Sequence, residues 1–205
     1  MSTVLFHTID IYFTVCYNIL NYFVKGECNY METTETSVYT LSLGNEIMYS
    51  SDILDKLTKN PDLRINGGNY VFIEFPTEIS IYEMRNAAVK VIRSGFIPVI
   101  AHIEAYTEIL KKPNFVWDLR EYGALIHVNA SSVAKMRFGS TTRFLKFLFN
   151  KSYIDAVTLS SSSEDNMIIE KAKLKITRLF GEDVAIKVTE STPKALLNNQ
   201  MLLRY

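Results

Sequence analysis

The feature that most constrains this chain is an alternation of short runs of β-branched and aromatic residues with longer segments of helical spacing. The apolar runs fall at 4–13, 39–47, 70–74, 97–102, 124–129 and 156–159. Helical spacing covers 51–58, 80–94, 106–110, 114–122, 141–150 and 165–179. Two junctions carry their own stop signal. Ser94-Gly95 and Tyr122-Gly123 each end a helical pattern just before an apolar run, where glycine accepts the backbone turn that closes a helix. The run Ile97-Pro98-Val99-Ile100-Ala101 is apolar at every position, as expected of a strand covered on both faces in a parallel sheet. Strand–helix–strand order of this kind predicts a parallel α/β sheet or barrel.

Composition narrows the partners. Twenty-two basic residues balance twenty-two acidic ones, which leaves no global field to draw nucleic acid or an anionic membrane. At 205 residues the chain suits a single domain. Its cysteines, Cys16 and Cys28, are spaced neither as a disulfide framework nor as a zinc pair, so a reducing cytoplasm is expected. Asp10, Asn18 and Asn21 interrupt the apolar first 24 residues, which argues against both a signal peptide and a transmembrane segment. That stretch is expected in the core or against a partner.

On a parallel α/β scaffold, ligands gather at the C-terminal strand ends. Read in order, those ends carry Tyr12 and Thr14, then Glu46, Glu74, His102, Asn129 and the serines 160–163. Glu46, Glu74 and His102 are oxygen and nitrogen donors at successive strand ends, suited to part of the shell of a divalent metal.

The segments Tyr70-Val71-Phe72-Ile73-Glu74-Phe75-Pro76, Gly95-Phe96-Ile97-Pro98-Val99-Ile100-Ala101-His102-Ile103-Glu104-Ala105-Tyr106 and Tyr122-Gly123-Ala124-Leu125-Ile126-His127-Val128-Asn129-Ala130-Ser131-Ser132 carry a family likeness. Together they resemble the PHP-superfamily tyrosine phosphatases, the manganese-dependent enzymes of bacterial capsule and exopolysaccharide loci. Leu43-Gly44-Asn45-Glu46-Ile47 is similar to that family's Gly-x-Glu strand, and Thr192-Pro193-Lys194-Ala195-Leu196-Leu197 to its closing helix. The similarity runs over 39–199, with 1–38 atypical and short. It implies a distorted, incomplete PHP-type β/α barrel with parallel strands. It also implies a cluster of metal ions that activates water against phosphotyrosine, as on a kinase tail.

The ligand set departs from that family. Its opening Ile-Asp-Ile-His-x-His stands here as Ile9-Asp10-Ile11-Tyr12-Phe13-Thr14. Its His-Pro-Glu-Arg-Tyr stands as His102-Ile103-Glu104-Ala105-Tyr106, which keeps the histidine and lacks the phosphate-holding arginine. Its Ser-Asp-Ala-His aligns with Leu159-Ser160-Ser161-Ser162. A neutral phenol is a poor manganese ligand and a methyl group holds no phosphate. The spacing from Tyr12 to Glu46 is also short for two crossovers, so loss of a strand, a helix and a histidine-bearing loop is expected.

Each candidate has a plainer reading. His102 is a metal ligand or a satisfied core histidine, and the family position favours the ligand. Glu74 closes a buried strand and needs a partner. Glu46 stands evenly between ligand and solvated strand end. His127 reads as a structural hydrogen-bonding residue and the serine run as a loop, and neither cysteine has the setting of a nucleophile. The expectation is a phosphatase relative that binds manganese or another divalent metal weakly or not at all through Glu46, Glu74 and His102, with impaired turnover. The alternative is a non-catalytic interaction protein on the same scaffold, with homo-oligomerisation left open. A marginally stable remnant with open sheet edges is a third reading.

Overall fold

The computed structural model describes residues 46–159 and 166–202, all within the unit Val38–Tyr205. Among the described residues five strands, β1 (Ile47–Met48), β2 (Tyr70–Glu74), β3 (Ile97–Ile100), β4 (Leu125–Asn129) and β5 (Ala156–Thr158), form one sheet in that order. Every pairing is parallel, with Ile47 beside Ile73, Phe72 beside Val99, Ile100 beside Ile126 and Val128 beside Val157. Because each strand lies next to its predecessor, all connections step the same way, and right-handed crossovers then carry their helices to one face. This is the winding of a barrel segment rather than of a doubly wound sheet.

The helices are α1 (Ile53–Lys59), α2 (Ile81–Arg93), α3 (Thr107–Lys111), α4 (Phe115–Glu121), α5 (Ala130–Ala134), α6 (Ser140–Asn150), α7 (Asn166–Phe180), α8 (Glu182–Ile186) and α9 (Thr192–Leu197). In α2, the Ser80 hydroxyl accepts from the Glu83 N–H while the Glu83 carboxylate accepts from the Ser80 N–H, a reciprocal cap that fixes the first turn. Gly95 and Gly123 have φ of 87° and 110°, the left-handed turn expected after α2 and α4.

Side chains alternate between two cores. Val71, Ile73, Ile100, Ile126, Val128 and Val157 pack outward against Met84 and Val91 of α2, Leu119 of α4, Leu145 of α6 and Ile176 of α7. On the other face Tyr70, Phe72, Val99, Ala101, Leu125 and Ala156 form a smaller core with Ile65 and with Leu196 of α9. The C-terminal segment is tied there: Asn199 Oδ1 accepts from the Asn69 N–H at 2.8 Å, and the Tyr70 hydroxyl donates to the Gln200 carbonyl at 2.8 Å. Gly68 has to lack a side chain, since a Cβ there would lie 2.5 Å from the Asn199 amide oxygen. A π turn (Lys187–Ser191) leads into α9, where Pro193 supplies no N–H to the regular ladder.

Strand 70–74 stands as the sequence predicts, and the later strands differ from expectation by one or two residues at their ends. The strand predicted to reach His102 stops at Ile100, because His102 adopts left-handed angles (φ 51°, ψ 47°) that no strand continues through. Of the strand expected at 39–47 only Ile47 belongs to the described β1, its other positions lying outside the described residues apart from Glu46, which precedes the strand. The strand expected at 4–13 also lies outside them. Sequence periodicity missed α5 and α8, which are too short to show a repeat. Among the described residues no helix is long and apolar enough to cross a membrane.

One buried ionic junction holds β4, β5 and α4 together. Asp155 Oδ2 accepts from the Arg120 guanidinium and from the Ile126 N–H at 2.8 Å, while Arg120 also donates to the Tyr153 carbonyl. Asp155→Ala would leave a shielded guanidinium and a buried N–H without their partner, so a loss of about 3 kcal/mol is expected. Urea unfolding of the variant beside the parent measures it, and an unchanged midpoint would contradict this assignment.

Candidate functional site

The C-terminal ends of β2, β3, β4 and β5 converge around two histidines. The left-handed turn at His102 is unfavourable for a residue with a Cβ and persists only where its surroundings fix it. They do so through three contacts. The His102 N–H donates to His127 Nδ1 at 3.3 Å, its carbonyl accepts from the Ala105 N–H at 2.8 Å, and its Nε2 lies 3.2 Å from both carboxylate oxygens of Glu46.

His127 is fully buried in the small-core face of β4, as the sequence reading expected of a structural residue. Because its Nδ1 accepts a backbone N–H, the ring proton sits on Nε2, which donates to Thr158 Oγ1 at 3.0 Å. Phe72 meets the ring edge-on at 4.9 Å, and the His102 ring does so at 5.3 Å. Burial, and then the charge on His102, pushes the His127 pKa well below the ordinary histidine range, so this ring is neutral.

At His102 the balance is reversed. Burial opposes a charged imidazole, but the hydrogen bond to Glu46 and the charges of Glu46, Glu104 and Glu74 outweigh it and raise the pKa above the ordinary value. Folding thus favours the protonated form at His102 and the neutral form at His127.

Sequence reasoning passed over Glu104, which is 7 % exposed on the turn (Ile103–Ala105) after His102. Its Oε1 accepts from the Asn129 N–H at 3.0 Å, whereas Oε2 makes no hydrogen bond among the described residues. Burial raises its pKa, against the lowering influence of nearby backbone donors, Ser132 and His102. The signal available in the sequence was a carboxylate one step past an apolar residue, between His102 and Tyr106. Tyr106 is buried too, its hydroxyl donating to the Ala101 carbonyl at 2.7 Å and accepting from the Phe75 N–H at 3.1 Å. It thereby joins the ends of β2 and β3.

The three residues singled out from the sequence are therefore placed unequally. Glu46 and His102 are in contact. Glu74 ends β2 half-buried, with its carbonyl accepting from the Tyr49 N–H at 2.8 Å and its carboxylate without a hydrogen bond among the described residues. Asn129 turns to cap α5, its Oδ1 accepting from the Ser131 N–H. Tyr12, Thr14, Cys16, Cys28 and the serines 160–163 lie outside the described residues.

Neighbouring ligands about 2.1 Å from one metal ion are themselves roughly 3 Å apart, so the Glu46–His102 spacing suits two adjacent ligand positions as well as an ion pair. Among the described residues no three His, Cys, Asp or Glu side chains converge to hold a metal. Glu46 and His102 alone fit two adjacent ligand positions.

The fold is shared with solved tyrosine phosphatases. A chain from the crystal structures of YwqE from Bacillus subtilis and CpsB from Streptococcus pneumoniae, described as unique metal-dependent tyrosine phosphatases, superposes with a TM-score of 0.70 at 25% identity. The match covers 79% of this chain and 66% of that one. Relatives at the sequence level include the tyrosine-protein phosphatase CpsB of S. pneumoniae, 25% identical over 169 residues, spanning 79% of this chain and 70% of the relative. The tyrosine-protein phosphatase YwqE of B. subtilis is 27% identical over 163 residues, spanning 78% of this chain and 64% of the relative. The chain belongs to the capsular polysaccharide synthesis CpsB/CapC family, whose family model matches residues 18–198.

A histidine pKa raised by folding contributes stability that is complete below about pH 6.5 and is lost as the pH climbs through the folded-state value. With a chelator present, Glu46→Gln is expected to cost about 2 kcal/mol near pH 6 and much less near pH 9. Urea unfolding at both pH values tests this, and an equal cost at each would refute the charged pair.

Proposed function

We propose that this chain is a metal-dependent phosphotyrosine phosphatase domain of capsule synthesis, with weak or lost turnover, in which Glu46, Glu74 and His102 hold the divalent metal. The observation that carries the proposal is the contact between His102, in the turn after β3, and Glu46, just before β1, 3.2 Å apart in a chain of this family. Tyrosine phosphatase is the activity named for relatives from S. pneumoniae and B. subtilis, and metal dependence is named for the solved structures. The substrate in this reading is a phosphotyrosine protein, such as a kinase tail, the metal is manganese, and the setting is cytoplasmic.

A bound divalent ion would supply charge neutralisation for the phosphoryl oxygens and a water acidic enough to attack at neutral pH. The chain's own residues do the positioning. His127 holds the His102 backbone in its left-handed turn, and Glu104 anchors the following turn to the Asn129 N–H. Glu46 holds the His102 ring by Nε2, so the imidazole and carboxylate reach any ligand as a unit.

Weak turnover is supported by the residues that the resemblance aligns with the family's remaining ligands, Tyr12, Thr14, Ser160 and Ser162, with Ala105 in place of the arginine. Phosphoryl transfer depends on charge neutralisation at several oxygens at once, and one metal with no guanidinium gives only part of it. A second reading, a non-catalytic interaction protein, is favoured by one observation. Glu46 and His102 satisfy each other without a metal, which is enough for a purely structural tie.

Thermal melting and turnover separate the two. The proposal expects Mn²⁺ to raise the melting temperature of the full chain and His102→Ala to remove that shift. It also expects slow Mn²⁺-dependent hydrolysis of a tyrosine-phosphate mimic, or none, with any turnover lost in His102→Ala and Glu74→Gln. No melting shift at millimolar Mn²⁺ would sink the metal site and leave the interaction reading.

A further inference from the structure

Helix α7 segregates its charges. On one flank Lys173 pairs with Glu190 and also feels Glu170 and Glu182, so acidic side chains gather on that side. On another flank, residues 171, 174, 175, 178 and 179 recur at helical spacing and form one wall of a groove of about 530 Å³. The end of α5 and the first turns of α6 supply the opposite wall, including Arg137 and Lys146. Among the described residues no carboxylate lines this groove.

Lys175 is the structural cation of the set. Its ammonium donates to the carbonyls of Ala134 at 2.8 Å and Met136 at 2.7 Å, fastening the end of α5 to α7. Arg137, Lys146, Lys171 and Arg178 are exposed, and their side chains form no ion pair or hydrogen bond among the described residues. Like charges held around one concavity repel one another and focus a local positive potential on a chain that is net neutral as a whole. Amid them Leu174 is 68 % exposed, an apolar side chain without cover.

We propose that this groove docks an acidic peptide segment of a protein partner, its carboxylates meeting Arg137, Lys146, Lys171 and Arg178 and an apolar side chain resting on Leu174. Charge complementarity selects the sign of the partner, and the shape selects its class. The cations face into a concavity between three helices, where an extended chain fits and a flat bilayer does not reach. Among the described residues no aromatic side chain lines the groove to stack a nucleobase, which disfavours single-stranded nucleic acid. The groove shares no residue with the strand-end cluster, so the proposal stands independently of the phosphatase reading.

The test is fluorescence anisotropy on the full chain with a labelled peptide of repeated Glu-Glu-Leu triplets and its Gln-Gln-Leu counterpart. The acidic peptide should bind at low salt and weaken as salt rises, and the amide peptide should not bind. Lys171→Glu combined with Arg178→Glu should weaken binding by about tenfold or more, and Lys146→Glu, on a separate helix, should weaken it independently. Leu174→Ser should weaken binding without changing its salt dependence. Melting curves identify any variant that fails to fold, and the remaining variants then decide. Failure of the acidic peptide to bind, equal binding by all the folded variants, or preference for phosphatidylglycerol vesicles or an oligonucleotide over the peptide would overturn the proposal.

Discussion

The site depends on one hydrogen bond, from the His102 N–H to the buried Nδ1 of His127. A backbone donor at Nδ1 dictates the ring's tautomer, and the other ring nitrogen then has a proton to give Thr158 on β5. β4 thus connects on one side to the turn after β3 and on the other to β5 through a single imidazole. Replacing that ring with an aliphatic group would leave two polar partners stranded in a core lined by Phe72. The left-handed turn at His102 follows from this constraint, and the turn delivers the His102 ring to Glu46.

The electrostatics follow from the same placement. Three carboxylates, Glu46, Glu74 and Glu104, act on one imidazole, while the second is held neutral by burial and by the first. A proton on His102 and a divalent cation beside Glu46 answer the same excess of negative charge, so they compete for it. The carboxylates that raise the affinity of His102 for its proton also attract a metal. Were a divalent ion to bind there, protonation of His102 would oppose it, and the stability of the pair depends on pH even without a metal.

Much of the architecture was legible because it rests on local patterns. The all-apolar runs, Gly95 and Gly123, and the Ser80–Glu83 cap each specify an element boundary through backbone chemistry that needs no tertiary knowledge. The site was legible only as a set of positions. Strand-end reading chose Glu46, Glu74 and His102, but nothing in the spacing distinguishes the pair in contact from the carboxylate left unpaired. Glu104 escaped because its burial is created by the turn at His102, which is itself a product of the contact with His127. The left-handed backbone of a histidine is a tertiary outcome, invisible to propensity.

The groove between α5, α6 and α7 separates local charge from total charge. Equal numbers of acids and bases leave no global field to draw nucleic acid or an anionic membrane. Yet charge acts over about 8–10 Å at physiological ionic strength, so what matters to a partner is the local arrangement and not the sum. Around α7 the acids near Lys173, drawn from α7, α8 and the π turn, and the cations near Leu174 lie on different sides, and their cancellation in the total is not cancellation at either surface. Neutrality of the whole thus limits long-range steering while leaving short-range recognition intact, a setting suited to a partner that is already close.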